Sequence, residues 1–242
     1  MTILRHLHLP NVVSYQHAAE LQQRLVANLL AYKAKGTLSP TSPPPPPTII
    51  TAQFHPVYTC GRREIGTVSP AQRSYLAQST PLGQASFIDT LRGGQTTFHG
   101  PGQLIAYPII DLRQHALTPR CYVRLLENTV IDTCKFYGIQ TKTTEHPGVW
   151  VNDEEKICAV GVHLRRHISS HGTGLNVDTE LGWFDRIVGC GLEGKRTTSL
   201  ERQGVRVEGG VEEVAKRFVR FFGERLEGVE ERAVRIGEED VD

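Results

Sequence analysis

A glycine-rich stretch in the middle of the chain carries residue types that could bind an anion or move a proton. It runs from Arg92 to Gln103 with the sequence RGGQTTFHGPGQ. Glycine lets backbone N–H groups approach a ligand with no Cβ in the way, arginine can neutralise an anion, and histidine exchanges protons near neutral pH. The stretch lacks the G-K-S/T of a Walker loop and the G-x-G-x-x-G of a dinucleotide site. We therefore predict a ligand-binding loop, with a tight structural turn as the alternative.

Two further stretches combine polar side chains with small residues. Lys156 opens the otherwise apolar run KICAVG, and a lysine there is either a strand end reaching for water or an active-site cation. The stretch SSHGTGLNVD, residues 169–178, places two glycines shortly after His171. It is either a polar turn into a strand or a second loop that lines a ligand.

Cys190 lies between Gly189 and Gly191, and a cysteine with glycine neighbours has an approachable sulfur. It is a candidate nucleophile, with packing as the alternative. The chain holds five cysteines, an odd number without a C-x-x-C pair. The sequence therefore predicts neither a disulfide framework nor a zinc ribbon, and it favours a reducing compartment.

Taken together, these stretches resemble the lipoyl(octanoyl) transferase family in order and spacing. The family's arginine–glycine–glycine loop ends in H-G-P-G-Q-L, as Arg92–Leu104 does, and its K-I-x-x-x-G corresponds to Lys156–Gly161. Its H-G-x-x-L-N-V corresponds to His171–Val177, and its cysteine follows the asparagine by fourteen residues, as Cys190 follows Asn176. The combination of these motifs is specific, although no single one is.

The resemblance extends from about Leu4 to Phe222 and includes the segment His55–Arg63, which is similar to the family's early H-P-x-Y-T-x-G. This chain departs from the pattern in its proline tract Pro43–Pro47, in its acidic tail, and in Gly189, which replaces a proline that commonly precedes the cysteine. None of these departures removes a residue that the chemistry needs.

The resemblance implies the fold of the biotin and lipoate protein ligases, a single α+β domain with a mixed β-sheet flanked by helices. The order of elements agrees, because strands and helices mix without regular βαβ alternation. We expect a catalytic domain over residues 1–222, with a proline-rich surface loop at residues 39–48. An acidic, flexible tail is expected over residues 223–242, which hold eight acidic and three basic residues.

For activity, the resemblance implies transfer of an octanoyl group from octanoyl-acyl carrier protein, through a cysteine thioester, to a lysine of lipoyl domains. This is the first committed step of protein lipoylation. The acceptors would be lipoyl domains of 2-oxoacid dehydrogenase complexes and the glycine cleavage H protein. Neither ATP nor a cofactor nor a metal is expected. A eukaryotic protein of this family would be mitochondrial, and a bacterial one would be cytoplasmic. The proline tract favours a eukaryotic source.

Within that chemistry, Cys190 and Lys156 map onto a catalytic cysteine–lysine dyad. A nearby ammonium lowers a thiol pKa by about 1–3 units from its usual value near 8.5. A shift of two units favours the nucleophilic thiolate by about 2.7 kcal/mol. His171 and Asn176 are expected to support the site. The residues expected to bind substrate are Arg92, Gly93, Gly94, Gln95, Thr96, Thr97, Phe98, His99, Ala159, Val160, Gly161, Gly172, Thr173 and Gly174.

Three other interpretations stay open on the residues alone. An ATP-dependent lipoate or biotin ligase would share the fold and would have no use for Cys190. A thiol hydrolase would pair Cys190 with His171 or His99 and release free fatty acid. A metal-binding module would draw on histidines and cysteines whose spacing matches no zinc motif; they are Cys158, His163, His167, His171 and Cys190.

Capping and periodicity predict the elements that position these residues. Ser14 caps a helix over Tyr15–Lys35, and Thr118 with Pro119 begins a second helix that ends at Gly138. A late helix begins near Val211. The predicted strands are TILRHLHL, TIITAQF, LIAYPIIDL, the hairpin GVWVN and KICAVGVHL, and GTGLNVD.

Composition bounds the class of protein. Of 242 residues, 39% are hydrophobic and 22% are charged, as in a soluble globular protein. No run of 18 apolar residues occurs, so no membrane span is predicted. Nucleic-acid binding would need a dense basic stripe with interleaved aromatic residues, and the sequence has none.

Overall fold

The computed structural model of the protein describes residues 2–35, 43–187, 194–229 and 233–241. Within these ranges the α-helices are α1 Tyr15–Lys35, α2 Pro70–Ala77, α3 Pro119–Phe136 and α4 Gly210–Arg225. The strands are β1 Arg5–Val13, β2 Thr48–Phe54, β3 Val57–Cys60, β4 Ser86–Asp89, β5 Thr97–His99, β6 Gln103–Ile109, β7 Val149–Trp150, β8 Glu155–Arg165, β9 Ile168–Asn176, β10 Arg196–Thr197 and β11 Val234–Ile236. Short 3-10 helices span Leu112–His115, Leu181–Arg186 and Glu238–Asp240. None of the described helices is long and apolar enough to cross a bilayer.

Most strands join one mixed sheet in the order β10-β8-β9-β6-β2-β1-β11, and β7 pairs with β8. The central pairs β8/β9, β9/β6 and β6/β2 are antiparallel. The outer pairs β2/β1, β1/β11 and β8/β10 are parallel. With helices on both faces, this arrangement confirms the predicted α+β fold with a mixed, helix-flanked sheet.

Burial on both faces explains why β6 is almost wholly apolar. Leu104 and Ala106 pack in the core cluster that contains residues of α3 and α4. Ile105 and Tyr107 pack in the cluster that contains residues of α1. Successive side chains of a strand point to opposite faces, so a central strand covered on both sides needs apolar residues at nearly every position.

The capping signals place the helix starts as predicted. The Ser14 hydroxyl accepts a hydrogen bond from the His17 N–H at 3.1 Å, and α1 spans Tyr15–Lys35. The Thr118 hydroxyl accepts from the Cys121 N–H at 3.2 Å, and Pro119 is the first residue of α3. Helix α3 ends at Phe136, two residues before Gly138, which adopts φ +80°.

The strand predicted over Leu104–Leu112 is shorter in the structure. It ends at Ile109, and Leu112 begins a 3-10 helix. The reason is Asp111, whose carboxylate accepts a hydrogen bond from the Arg113 N–H at 3.2 Å. This local bond competes with extension of the strand.

A second, smaller sheet in the order β4-β3-β5 was not predicted, and it positions the glycine-rich loop. Its core contains Tyr58, Phe98 and Trp183, and the rings of Phe98 and Trp183 stack with centroids 5.1 Å apart. Residues 90–96 connect β4 to β5. The small sheet therefore holds both ends of the loop that begins at Arg92.

The structure differs from the expectation of a flexible tail after residue 222. Helix α4 continues to Arg225, and Leu226 is buried behind it. Further on, Val234–Ile236 pairs in parallel with residues 5–7 of β1, and Val241 is buried. Without β11, β1 would be an edge strand with unpaired N–H and C=O groups. A charged segment with few apolar residues can still pair with these backbone groups. Of the proline-rich loop, residues 43–47 precede β2 without regular structure, and residues 39–42 lie outside the described ranges.

Candidate active site

Three separate stretches of the chain converge on one cavity of about 50 Å³. They are the glycine-rich loop, the middle of β8 and the middle of β9. The cavity is lined by Arg92, Gly93, Gly94, Gln95, Thr96, Thr97, His99, Tyr107, Lys156, Ala159, Val160, Gly161, Gly172, Thr173 and Gly174. Apart from Tyr107, all of these were predicted from the sequence, and the structure brings them together. Their roles stay predictions.

Strand register explains the convergence of the second and third stretches. In the antiparallel pair β8/β9, Ala159 lies opposite Gly174, and Gly161 lies opposite Gly172. The glycine at position 172 is required, because a Cβ there would collide with the Ala106 carbonyl oxygen of β6. At Gly161 a Cβ would lie 3.0 Å from the Gly93 carbonyl oxygen. The loop thus passes directly against β8.

Phe98 is the exception among the residues predicted to contact substrate. In the short strand β5, Thr97 and His99 line the cavity, whereas Phe98 packs with Tyr58 and Trp183 in the small sheet. The two-residue period of a strand puts neighbouring side chains on opposite sides. Phe98 therefore packs behind the loop and does not line this cavity, and its predicted contact with substrate stays a prediction.

The Arg92 guanidinium shapes the loop. The side chain is buried; Nη1 donates to the Gly93 and Gln95 carbonyls at 3.0 and 2.9 Å, and Nη2 donates to the Thr59 carbonyl at 2.5 Å. Glu64 adds a second clamp, because its Oε2 accepts from the Thr96 N–H at 2.6 Å. These bonds tie the guanidinium to the backbone of its own loop and to Thr59 of β3, and the anion-neutralising role of Arg92 stays a prediction.

Lys156 is buried on β8, and so it is not a strand end that reaches for water. Its Nζ donates to the Pro147 carbonyl at 3.0 Å and lies 4.6 Å from the centroid of the Trp150 ring. The same residue also lines a second cavity, of about 30 Å³, with Gln103, Trp150 and Asn176. Lys156 therefore stands at the junction of the two cavities. Trp150 was not predicted as a site residue, although the predicted hairpin of GVWVN and KICAVGVHL is the pairing that brings it to the lysine.

His99 and His171 are both buried, and burial lowers the pKa of each to about 3, with a smaller contribution from the Arg92 charge. Both rings are therefore neutral at physiological pH. His171 lies behind the cavity, its ring 5.4 Å from that of Tyr107, and adopts φ +58°. Its backbone N–H donates to Gln22 Oε1 at 2.6 Å. The structure places it beside Tyr107, which lines the cavity, and its supporting role stays a prediction.

Asn176 lies at the end of β9 and lines the second cavity. Its Nδ2 donates to the Thr198 carbonyl at 2.9 Å, and its Oδ1 accepts from Gln103 Nε2 at 2.8 Å. Gln103 in turn contacts His99, with Oε1 2.6 Å from Nδ1. Gln103 belongs to the H-G-P-G-Q-L motif but was not predicted as a site residue.

Cys190, the predicted nucleophile, lies outside the described residues, as do Gly189 and Gly191. The described chain resumes beyond it, and Thr197 of β10 pairs with Lys156 of β8. The proximity of the cysteine sulfur to the lysine stays a prediction. Among the residues that the structure describes, no three His, Cys, Asp or Glu side chains are grouped to hold a metal ion.

Solved structures share this fold. Lipoate-protein ligase A bound with ATP superposes with a TM-score of 0.64 over 99% of this chain and 92% of its own, at 14% identity. A bipartite lipoate protein ligase from Thermoplasma acidophilum gives a TM-score of 0.59 over 99% of this chain and 89% of its own, at 16% identity. At these identities the likeness defines the fold class, that of the lipoate protein ligases.

The sequence defines the family more narrowly. The sequence model of the lipoyl protein ligase A/B catalytic domain matches residues 14–223, so the chain belongs to that family. A Schizosaccharomyces pombe protein named "Probable octanoyltransferase" is 51% identical over 80% of this chain and 83% of its own. The human mitochondrial octanoyl-acyl-carrier-protein:protein N-octanoyltransferase is 40% identical over 88% of this chain and 89% of its own. A Solibacter usitatus octanoyltransferase is 39% identical over 87% of each chain.

Proposed function

We propose that the protein transfers an octanoyl group from octanoyl-acyl carrier protein to a lysine side chain of lipoyl domains, through a thioester on Cys190. The observation that carries the proposal is the buried Lys156 at the junction of two cavities, walled by the residues of the family motifs. We take the octanoyl group and the acyl carrier protein donor from the names of octanoyltransferase relatives.

In the first step the Cys190 thiolate attacks the carbonyl carbon of the donor thioester. The new C–S bond forms, the old one breaks, and the sulfur of the carrier protein leaves as a thiolate, which takes a proton from solvent. Exchange of one thioester for another is nearly neutral in free energy, so ATP is not needed. The Lys156 ammonium favours the charged form of the cysteine before attack.

In the second step the lysine amine of the acceptor attacks the octanoyl thioester. The C–N bond forms, the C–S bond to Cys190 breaks, and the nitrogen loses one proton. The amide product is more stable than the thioester, which makes this step favourable. The reaction follows a two-step path with a covalent intermediate.

The negative oxygen that forms in each step needs N–H donors. Thr173 and Gly174 belong to β9, which has a partner on both sides at these positions, β6 and β8. Ala159–Gly161 of β8 pair with β9 on one side, and their other edge faces the cavity and the glycine-rich loop. Successive backbone groups of a strand point to opposite sides, and the Val162 carbonyl accepts from the Gly93 N–H of the loop, so within Ala159–Gly161 the Val160 N–H faces away from β9. We therefore assign the oxyanion donor to Val160 in Ala159–Gly161 rather than to Gly172–Gly174.

Intact-mass spectrometry tests the function on the unmodified protein. Incubation with octanoyl-acyl carrier protein in the absence of ATP should add one octanoyl group, and later addition of a lipoyl domain should move that group to the domain. A requirement for ATP would identify a ligase instead. Release of free octanoate without acylation of the domain would identify a hydrolase.

The donor is expected to dock beside the second cavity. Lys195 and Arg196 line that cavity and also the wider groove next to it, and Arg196 is well exposed in an ion pair with the exposed Glu154. A carrier protein with an acidic surface would be attracted to this pair.

For cellular location and acceptors, we propose mitochondria in a eukaryotic source, and lipoyl domains of 2-oxoacid dehydrogenase complexes and of the glycine cleavage H protein.

Reversal of these two charges should weaken donor binding. With Lys195→Glu and Arg196→Glu together, we expect KM for octanoyl-acyl carrier protein to rise about tenfold at low salt, and the effect should shrink as ionic strength screens the charges. Arg165→Glu with Arg166→Glu is the matched control, because both arginines are exposed at the β8–β9 turn. An equal rise in both double variants would argue against docking at Lys195 and Arg196.

A further inference from the structure

A chain of hydrogen bonds with only one consistent direction ends at His99. The Thr198 carbonyl can only accept, so the Asn176 amide nitrogen must donate to it, at 2.9 Å. Asn176 Oδ1 then accepts from Gln103 Nε2 at 2.8 Å, and Gln103 Oε1 remains as an acceptor. His99 Nδ1 lies 2.6 Å from that oxygen and must therefore carry the hydrogen.

All four groups are buried, so water cannot pair with them if the direction of the hydrogen bonds is reversed. His99, Gln103 and Asn176 are each at most 5% exposed, and Thr198 is fully covered. A reversed amide would bring two acceptors or two donors together without solvent, and such an unpaired buried group costs about 1–3 kcal/mol. The chain thus selects one tautomer of the neutral imidazole.

The consequence is an unshared electron pair on His99 Nε2 at the cavity. His99 lines the cavity, and its Nε2 is buried without a hydrogen-bond partner among the described residues. The Thr173 hydroxyl is also unpaired there, but it can donate as well as accept. His99 Nε2 in this tautomer can only accept, so it requires an N–H or O–H from whatever binds.

Resting on the proposed function, we infer that Gln103 and Asn176 are positioning residues that hold His99 as the Nδ1–H tautomer, and that His99 Nε2 accepts a hydrogen bond from the attacking lysine amine. Among the reacting groups, the octanoyl chain, the carbonyl oxygen and the thiolate have no hydrogen to donate. The amine is the donor. With one N–H held by Nε2, its lone pair is oriented for attack on the thioester.

The step keeps His99 neutral throughout. The nitrogen lone pair forms the C–N bond to the carbonyl carbon, and the C–S bond to Cys190 breaks with its electron pair going to sulfur. The proton that the nitrogen gives up passes to the sulfur or to solvent. Imidazole acts here as a hydrogen-bond acceptor, and its buried ring resists protonation because burial lowers its pKa.

The tautomer can be measured in the resting protein without any substrate. Proton–nitrogen NMR on protein with 15N-labelled histidine distinguishes the two ring nitrogens, and the spectrum of His99→Gln identifies the His99 signals by difference. We expect the hydrogen of His99 on Nδ1. Gln103→Met should abolish this preference, whereas Gln22→Met should preserve it, because Gln22 is also buried but contacts a backbone N–H of His171. A hydrogen on Nε2 in the unmodified protein would overturn the inference.

Single-turnover kinetics then separate the two chemical steps. In Gln103→Met we expect formation of the octanoyl-enzyme to stay within about twofold of normal, while transfer to a lipoyl domain slows about tenfold to a hundredfold. An equal slowing of both steps would contradict a role in orienting the amine. If no octanoyl-enzyme forms even in the unmodified protein, the proposed function fails, and the NMR result still decides the tautomer.

Discussion

Replacement of Cys190 by serine is expected to abolish the octanoyl adduct and to lower the rate of transfer by about ten thousandfold or more. Serine keeps the size of the side chain, but its hydroxyl is not ionised near neutral pH, whereas a thiol beside an ammonium is. The variant should fold normally and still bind octanoyl-acyl carrier protein. Intact-mass spectrometry after incubation with the donor, with single-turnover transfer to a lipoyl domain, checks both expectations.

Cys121 provides the matched control for this prediction. It is exposed on α3, and a hydrogen bond with Thr118 lowers its thiol pKa, so it is an accessible thiol away from the cavity. Cys121→Ser should acquire the octanoyl group as the unmodified protein does. A normal adduct on Cys190→Ser, or an adduct mapped by peptide digestion to Cys121, would exclude Cys190 as the nucleophile.

The large elements were predictable because each carries a local signal that tertiary packing reinforces. Strand β2 begins and ends at Thr48 and Phe54 as expected, and α3 begins at its proline after a threonine cap. The small sheet was not predictable in the same way. Its strands are three or four residues long, and β3 and β4 pair in parallel across α2. Strands this short give no reliable period, and parallel pairing leaves no turn signal.

The candidate site shows the same division between local and long-range information. Glycines such as Gly172 could be identified in the sequence, and the β8/β9 register then explains why they are glycines. The hydrogen-bond partners of the polar residues, in contrast, lie far along the chain and could not be identified in the sequence. Arg92 bonds to Thr59 of β3 as well as to its own loop, and Gln103 lies between His99 and Asn176. No spacing rule specifies contacts of that kind, because they arise only when three strands align.

Replacement of Lys156 is the second change expected to have a large effect, because the charge of this lysine is expected to stabilise the thiolate of Cys190. In Lys156→Met we expect octanoyl-enzyme formation at neutral pH to slow about a hundredfold, because loss of a neighbouring ammonium returns a thiol towards its usual pKa near 8.5. Alkylation of Cys190 by iodoacetamide, followed against pH, should then show its midpoint about 1–3 units higher. The sign follows because the unpaired thiol gives up its proton only at higher pH. An unchanged midpoint would leave Lys156 with a structural role alone.

Two comparison variants separate charge from packing in this experiment. Lys156→Arg keeps the positive charge and should retain a lowered midpoint even if the longer side chain slows transfer. Lys142→Met removes a lysine from the same neighbourhood and should leave the midpoint unchanged. The backbone of Lys142 pairs with that of Trp150 in an isolated β-bridge, and its ammonium contacts the exposed Asp153. Because Lys156→Met also deprives the Pro147 carbonyl of a donor, a loss of stability is expected in urea unfolding. A midpoint that shifts in Lys156→Met but not in Lys156→Arg or Lys142→Met therefore reports the charge of this lysine acting on the cysteine.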